Sequence, residues 1–141
     1  MIRFEPLTAE HAVRIGPLEA IHAGFEMTAE MAVMLEEVGG TAAVVDGEVV
    51  ALAGVLPRWE GVGMAWAWLT RKWRRHARRI TAEMQLELSR SDYHRVEIGV
   101  KAGFHRGEAF AQRLGFYLET PVARGWGPDG GDYSIWVRVK E

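Results

Sequence analysis

Ala109-Phe110-Ala111-Gln112-Arg113-Leu114-Gly115-Phe116 reads as the close of a helix, a stop and the opening of a strand. Phe110 and Leu114 stand four apart, so both lie on one helical face. Gly115 supplies the residue that helices favour just past their last turn, and the chain then runs extended from Phe116 to Thr120. Working outward, Phe104–Leu114 is the helix itself, and Arg95–Val100 before it is a strand set off by the Ser91-Asp92 turn. Further upstream, Arg71 to Ser89 is the longest helix, because Trp73, Ala77, Ile80, Met84 and Leu88 form one apolar stripe at steps of four and three. Downstream, the Gly/Pro loop Gly125–Gly131 leads to a closing strand, Tyr133–Val139.

The N-terminal half completes the order. Ile2-Arg3-Phe4-Glu5 alternates as a short strand, and Thr8 is an N-cap for a helix carrying Ala12, Val13 and Ile15. Gly16-Pro17 breaks that helix and begins another. Thr28 caps a further helix, with Met31, Met34, Leu35 and Val38 on one face and Gly39-Gly40 as its end. The period then changes. Thr41–Val45 and Glu48–Val55 are β-branched runs around Asp46-Gly47, the pattern of a two-residue hairpin whose central residues both take positive φ. Pro57 is expected to end the second strand. Gly63–Leu69 follows, with Trp66 and Trp68 on one face and Ala65 and Ala67 on the other, as in a central strand covered tightly on one side. There is no repeat and no linker, so the chain reads as one α/β domain spanning residues 1–141.

Composition sets the outer limits. The chain has 141 residues, 48% apolar and 26% charged, which fits an ordinary globular core and excludes wholesale disorder. No apolar run is long enough for a membrane helix, and Met1–Glu5 lacks the pattern of a signal peptide. With no cysteine, disulfides, cysteine-zinc sites and thiol nucleophiles are excluded, and a cytoplasmic setting is expected. The net charge of −2 hides an asymmetry. Residues 1–60 carry ten acids and three bases, residues 61–141 fourteen bases and nine acids, and six of those bases crowd into Arg71–Arg79. A dedicated DNA-binding domain would be basic overall, which this chain is not.

Strand, helices, three strands, long helix, strand, helix, two strands: this order, joined to Leu114-Gly115-Phe116, resembles the GNAT (Gcn5-related N-acetyltransferase) superfamily over essentially the whole chain. Trp66-Ala67-Trp68-Leu69, the basic start Arg71-Lys72-Trp73-Arg74-Arg75 and the Leu-Gly-Phe ending together are similar to the GNAT-like proteins of tailed phages, small internal virion proteins among them. The resemblance implies a mixed, mostly antiparallel sheet of six to seven strands with helices on both faces. It also implies acetyl-CoA as cofactor and N-acyl transfer as activity. GNAT enzymes hold the coenzyme diphosphate with an Arg/Gln-x-x-Gly-x-Gly/Ala loop between the fourth strand and the long helix, where glycines let backbone N–H groups approach closely. The corresponding Arg71-Lys72-Trp73-Arg74-Arg75-His76 contains no glycine. The tyrosine that protonates the leaving thiolate in many members falls on Ala111, and the family asparagine falls on Phe104. Three family positions are absent together.

The candidates that remain are few. Arg71, Lys72, Arg74, Arg75 and Arg78 are the candidate phosphate-binding residues, the alternative being a solvated basic face. Glu97 is the candidate base for an amine, against an outward-facing carboxylate paired with arginine. Tyr117, with Tyr93 behind it, is the candidate replacement acid, against a tyrosine in the core or at an interface. The five histidines, His11, His22, His76, His94 and His105, include no i,i+4 pair, so no metal site is expected. Gly125–Gly130 formally matches G-x-G-x-x-G, yet it follows no βα junction and contains Pro128, and it reads as a loop. Trp59 and Trp126, each beside an arginine in a loop, are the candidate contacts for a protein partner or a second copy of the chain, against rings folded back onto the domain. The leading expectation is a GNAT-fold assembly or interaction protein of phage or prophage type, cytoplasmic or in the virion, with little or no acetyltransferase activity. An acetyl-CoA-dependent N-acetyltransferase with an arginine-rich phosphate grip is the alternative. A small nucleic-acid-associated domain comes third.

Overall fold

A computed structural model describes residues 1–18 and 26–140. Its strands are β1 (Ile2–Pro6), β2 (Thr41–Val45), β3 (Glu48–Trp59), β4 (Val62–Leu69), β5 (Arg95–Lys101), β6 (Tyr117–Ala123) and β7 (Tyr133–Val139). Its α-helices are α1 (Ala9–Val13), α2 (Ala29–Val38), α3 (Ala77–Arg90) and α4 (His105–Arg113). The strands form one seven-stranded sheet in the order β1-β2-β3-β4-β5-β7-β6. The β1/β2, β2/β3, β5/β7 and β6/β7 ladders are antiparallel, whereas β4/β5 is parallel. The mixed, mostly antiparallel sheet expected from sequence is therefore present.

The chain divides into two compact units. The first holds residues 1–56 and 66–80. Thr8 accepts a hydrogen bond from the His11 amide while the His11 ring takes the Thr8 amide, a reciprocal cap that starts α1. Thr28 caps α2 through the Met31 amide. Asp46 and Gly47 have φ of 49° and 81°, as the hairpin between β2 and β3 requires. Leu7, Ala12, Ala32, Leu35, Ala42, Val44, Val49 and Leu52 form the core, and Trp66 and Trp68 pack against it from one face of β4. Trp66 lies so close to Gly54 that a Cβ there would sit 2.9 Å from the indole. Only a residue without a side chain leaves room for that ring.

The second unit holds residues 57–65 and 81 onward. Its core gathers Met84 and Leu88 of α3, Val96 and Val100 of β5, Phe110 and Ala111 of α4, and Trp136 and Val137 of β7. The end of α4 follows the helix, stop and strand expected over Ala109–Phe116. Gly115 takes φ of 92°, its amide donates to Gln112 O, and the Phe116 amide donates to Ala111 O. That pair of hydrogen bonds closes the helix and drives Phe116 into the core, 4% exposed. The β4/β5 ladder pairs Val62, Gly63 and Met64 with Arg95, Val96 and Glu97.

Several sequence boundaries move. Pro57 does not end β3, which runs on to Trp59. The β2 ladder stops at Ala53, so at Pro57 no β2 carbonyl awaits an N–H. The long helix does not start at Arg71. A turn and a 3₁₀ segment, Trp73–His76, come first and α3 begins at Ala77. Positive side chains disfavour a helix N-terminus by a few tenths of a kcal/mol each, and here six crowd that end. β6 continues past Thr120 to Ala123, with two register irregularities around Pro121. Gly16 to Leu18 is not helical: Leu18 forms an isolated bridge to Thr70. The remainder of the helix expected after Pro17 lies outside the described residues.

Candidate functional site

The turn between β4 and α3 is where the resemblance locates the diphosphate loop, and it is held by Thr70. This residue is 3% exposed. Its amide donates to Val50 O at 3.1 Å and its hydroxyl donates to the same oxygen at 2.7 Å. The Thr70 hydroxyl also accepts the Lys72 amide at 3.3 Å, and its carbonyl accepts the Trp73 amide at 3.2 Å. The Arg71 amide donates to Pro17 O at 3.1 Å. Three successive N–H groups, those of Arg71, Lys72 and Trp73, thus have acceptors inside the protein. A diphosphate would have to displace them, and no glycine is present to let it approach. The main chain here does not fit the cradle that the coenzyme requires.

The side chains offer more. Lys72 pairs with Glu48 at 2.6 Å, Arg79 lies over the Phe4 ring at 5.6 Å, and Arg74 is engaged as well. Arg71, Arg75 and Arg78 are exposed, and their guanidinium groups have no partner among the described residues. Beside the turn, Arg14, Pro17, Gly47, Glu48, Thr70 and Arg71 help to line a cleft of about 470 Å³. Sequence reasoning found the cations and missed Thr70. The signal was there: a threonine followed at once by polar residues and a helix is the pattern in which a hydroxyl captures a nearby amide.

Glu97 is only 14% exposed and is already committed. Arg58 Nη1 donates to one of its oxygens at 2.9 Å, and Arg95 donates to the other through Nε at 3.0 Å and Nη2 at 2.8 Å. Arg95 also reaches Glu119, through Nη1 at 2.9 Å. The Glu119 carboxylate, then Glu97, hold the Arg95 guanidinium well above its ordinary value. A carboxylate accepting from two arginines has few lone pairs left to take a proton from an amine. Tyr117 is 54% exposed, so it is not the core tyrosine of the alternative expectation. Glu97 and Tyr117 are both in register with Val137, which places them on one sheet face two strands apart, about 10 Å between Cα atoms. Tyr93 is half-buried. Ala111, at the family tyrosine position, is fully buried, and Phe104 stands as the residue preceding α4.

The two tryptophans expected in loops part company, and Trp59 is in fact the last residue of β3, which outruns the end expected at Pro57. Trp59 is 60% exposed, with the Arg58 guanidinium 4.8 Å from its ring centre. Trp126 folds back: its ring covers Gly99, where a Cβ would lie 2.3 Å away, and tilts against Tyr133 at 5.3 Å. Asp129 latches this loop by accepting from Lys101 Nζ at 2.8 Å and from the Gly131 amide at 2.9 Å. Those two donors, Lys101 first, hold Asp129 below the ordinary 3.8, while Arg95 holds Glu119 below the ordinary 4.5. Carboxylates depressed in the folded state stabilise it above their ordinary values, and that support disappears as pH falls through the depressed values. Thermal midpoints measured down the acid limb should therefore fall below about pH 4. The double variant Asp129→Asn with Glu119→Gln should give a flatter limb, and equal slopes would refute the latch.

No three histidine, aspartate or glutamate side chains gather into a metal site among the described residues, of which His22 is not one. No helix there is long and apolar enough to cross a membrane.

No protein-family profile matches the sequence. No curated protein matches it either. Solved structures match its shape. Ard1 from Thermoplasma volcanium superimposes with a TM-score of 0.78 at 12% identity, covering 99% of this chain and 98% of that one. The ribosomal-protein-S18-alanine N-acetyltransferase from Escherichia coli gives 0.74 at 17% identity over 99% and 94%. An acetyltransferase of the GNAT family from Streptococcus pneumoniae gives 0.74 at 11% identity over the whole of both chains. With the sheet order, the parallel β4/β5 pair and the Leu-Gly-Phe helix ending already in place, these superpositions show that the chain has the GNAT acetyltransferase fold.

Proposed function

We propose that this protein uses the GNAT fold for assembly or interaction, with little or no acetyltransferase activity. The observation that carries this is the β4–α3 turn, whose Arg71, Lys72 and Trp73 amides are held by Pro17 and Thr70. Glu97 clamped by two arginines and the alanine at position 111 support it. The exposed Trp59, with Arg58 stacked on it, is a contact for a protein partner, and Trp126 is a lesser one. Phage or prophage origin, in the cytoplasm or in the virion, belongs to the same proposal and rests on the sequence pattern from Trp66 to Arg75 with the Leu-Gly-Phe ending.

A second reading is carried by the guanidinium groups of Arg71, Arg75 and Arg78, which have no partner among the described residues. In it, these side chains grip the phosphates of acetyl-CoA in place of backbone N–H groups and support N-acetyl transfer. The shared fold includes a ribosomal L7/L12 alpha-N-protein acetyltransferase solved with coenzyme A, matched with a TM-score of 0.57 at 16% identity over 72% of this chain and 61% of that one. Titration calorimetry with acetyl-CoA separates the two. We expect no saturable heat up to about 1 mM ligand, the weak limit of practical affinity. Saturable micromolar binding that disappears in Arg75→Glu with Arg78→Glu would establish the second reading instead.

A further inference from the structure

The outward face of α2 carries Glu30, Val33, Met34 and Glu37 at helical spacing, so all four share one stripe. Glu30 and Glu37 are exposed with no partner among the described residues, and Val33 and Met34 are 49% and 47% exposed between them. The same unit presents the opposite pattern on the segment leading into α3. Arg71, Arg75 and Arg78 follow one another along the turn, the 3₁₀ segment and the first turn of α3, exposed and unpaired among the described residues, while Trp73 and Ile80 are turned into the core. The spans agree: seven residues of α-helix rise about 10 Å, and seven residues of mixed turn, 3₁₀ and α-helix rise slightly more. No ion pair joins the two stripes within the molecule among the described residues.

We infer that these two stripes are the halves of one interface between copies of this chain, the basic segment of one copy seated on the α2 stripe of the next. Guanidinium groups meet Glu30 and Glu37, and the aliphatic stems of the arginines cover Val33 and Met34. The two surfaces differ, so the contact is head-to-tail. Each copy keeps one free half, and the assembly grows unless its rotation closes into a ring. The acidic N-terminal half and basic C-terminal half seen in the sequence are then a pairing device between molecules. This names the partner in the assembly role proposed above and rests on that proposal.

Sedimentation velocity at about 0.02 M salt, where screening extends beyond 20 Å, and again at about 0.5 M salt is the test. The wild type should associate progressively with concentration at low salt and sediment as a monomer at high salt. Arg75→Gln with Arg78→Gln should be monomeric, and so should Glu30→Gln with Glu37→Gln. Mixed in equal amounts, these two variants should give a one-to-one dimer that grows no further, since only one intact pair of halves remains. All four positions are exposed, and circular dichroism confirms that both variants fold. A wild type that stays monomeric at about 1 mM and low salt would overturn the inference, as would either variant associating like the wild type. So would a mixture that stays monomeric. A wild type that shifts a DNA or RNA oligonucleotide without associating would reassign the arginines to nucleic acid. The acetyl-CoA titration is read separately, so binding of the coenzyme would defeat the proposed function without any change in sedimentation.

Discussion

Trp136→Ala should lower the free energy of unfolding by about 3–5 kcal/mol, the range for removing a large buried aromatic side chain. The residue is 4% exposed and lies between Ile98 of β5 and Leu118 of β6 in the sheet register. Its indole N–H donates to Ser134 Oγ at 2.9 Å, and that hydroxyl donates to Val100 O at 3.3 Å. Two terms are thus lost together, a ring's worth of packing and a buried polar link. Trp136→Phe weighs them differently, because it keeps one six-membered ring while removing the donor and the smaller ring of the indole, at about 1–3 kcal/mol. Urea unfolding should show a large drop in midpoint for alanine and a smaller one for phenylalanine. Equal drops would mean that the ring does not fill the core as described.

Thr70→Val is expected to cost about 1–3 kcal/mol, although the side chain keeps its shape. Valine leaves the Lys72 amide without its acceptor and takes one donor from Val50 O, both at a residue that is 3% exposed. Thr70→Ser, which retains the hydroxyl, should stay near wild type. Amide hydrogen exchange localises the effect: protection of the Lys72 N–H should fall in the valine variant and remain in the serine one. Unchanged protection would show that the turn is held by something other than Thr70. The result bears on function, since this same hydroxyl keeps one of the three N–H groups away from any diphosphate.

Most of the fold was legible in the sequence because its signals are local. Gly115 after Leu114 ends a helix wherever it stands, Asp46-Gly47 demands a hairpin, and Thr8 and Thr28 cap the helices that follow them. The stripe through Trp73, Ile80, Met84 and Leu88 is buried as its spacing requires. Of the departures, one arises from sheet context and one from charge that the apolar spacing does not report. Pro57 is tolerated in β3 because β2 has already ended, and the first turn of the long helix tightens to 3₁₀ where cations meet its N-terminus.

The site divides along the same line. By itself, the sequence determined the cation cluster at Arg71–Arg79, the absence of glycine within it, and the alanine at position 111, where the resemblance expects the tyrosine of many members, because each is a matter of residue identity at a given spacing. Only the tertiary structure decided which cations lack a partner among the described residues, that Glu97 is clamped by Arg58 and Arg95, and that Pro17 and Thr70 take the amides of the β4–α3 turn. Those outcomes depend on partners 2 to 75 residues away in the chain. A hydrogen bond is fixed by where two atoms meet in space, and the order of residues states only how far apart they begin.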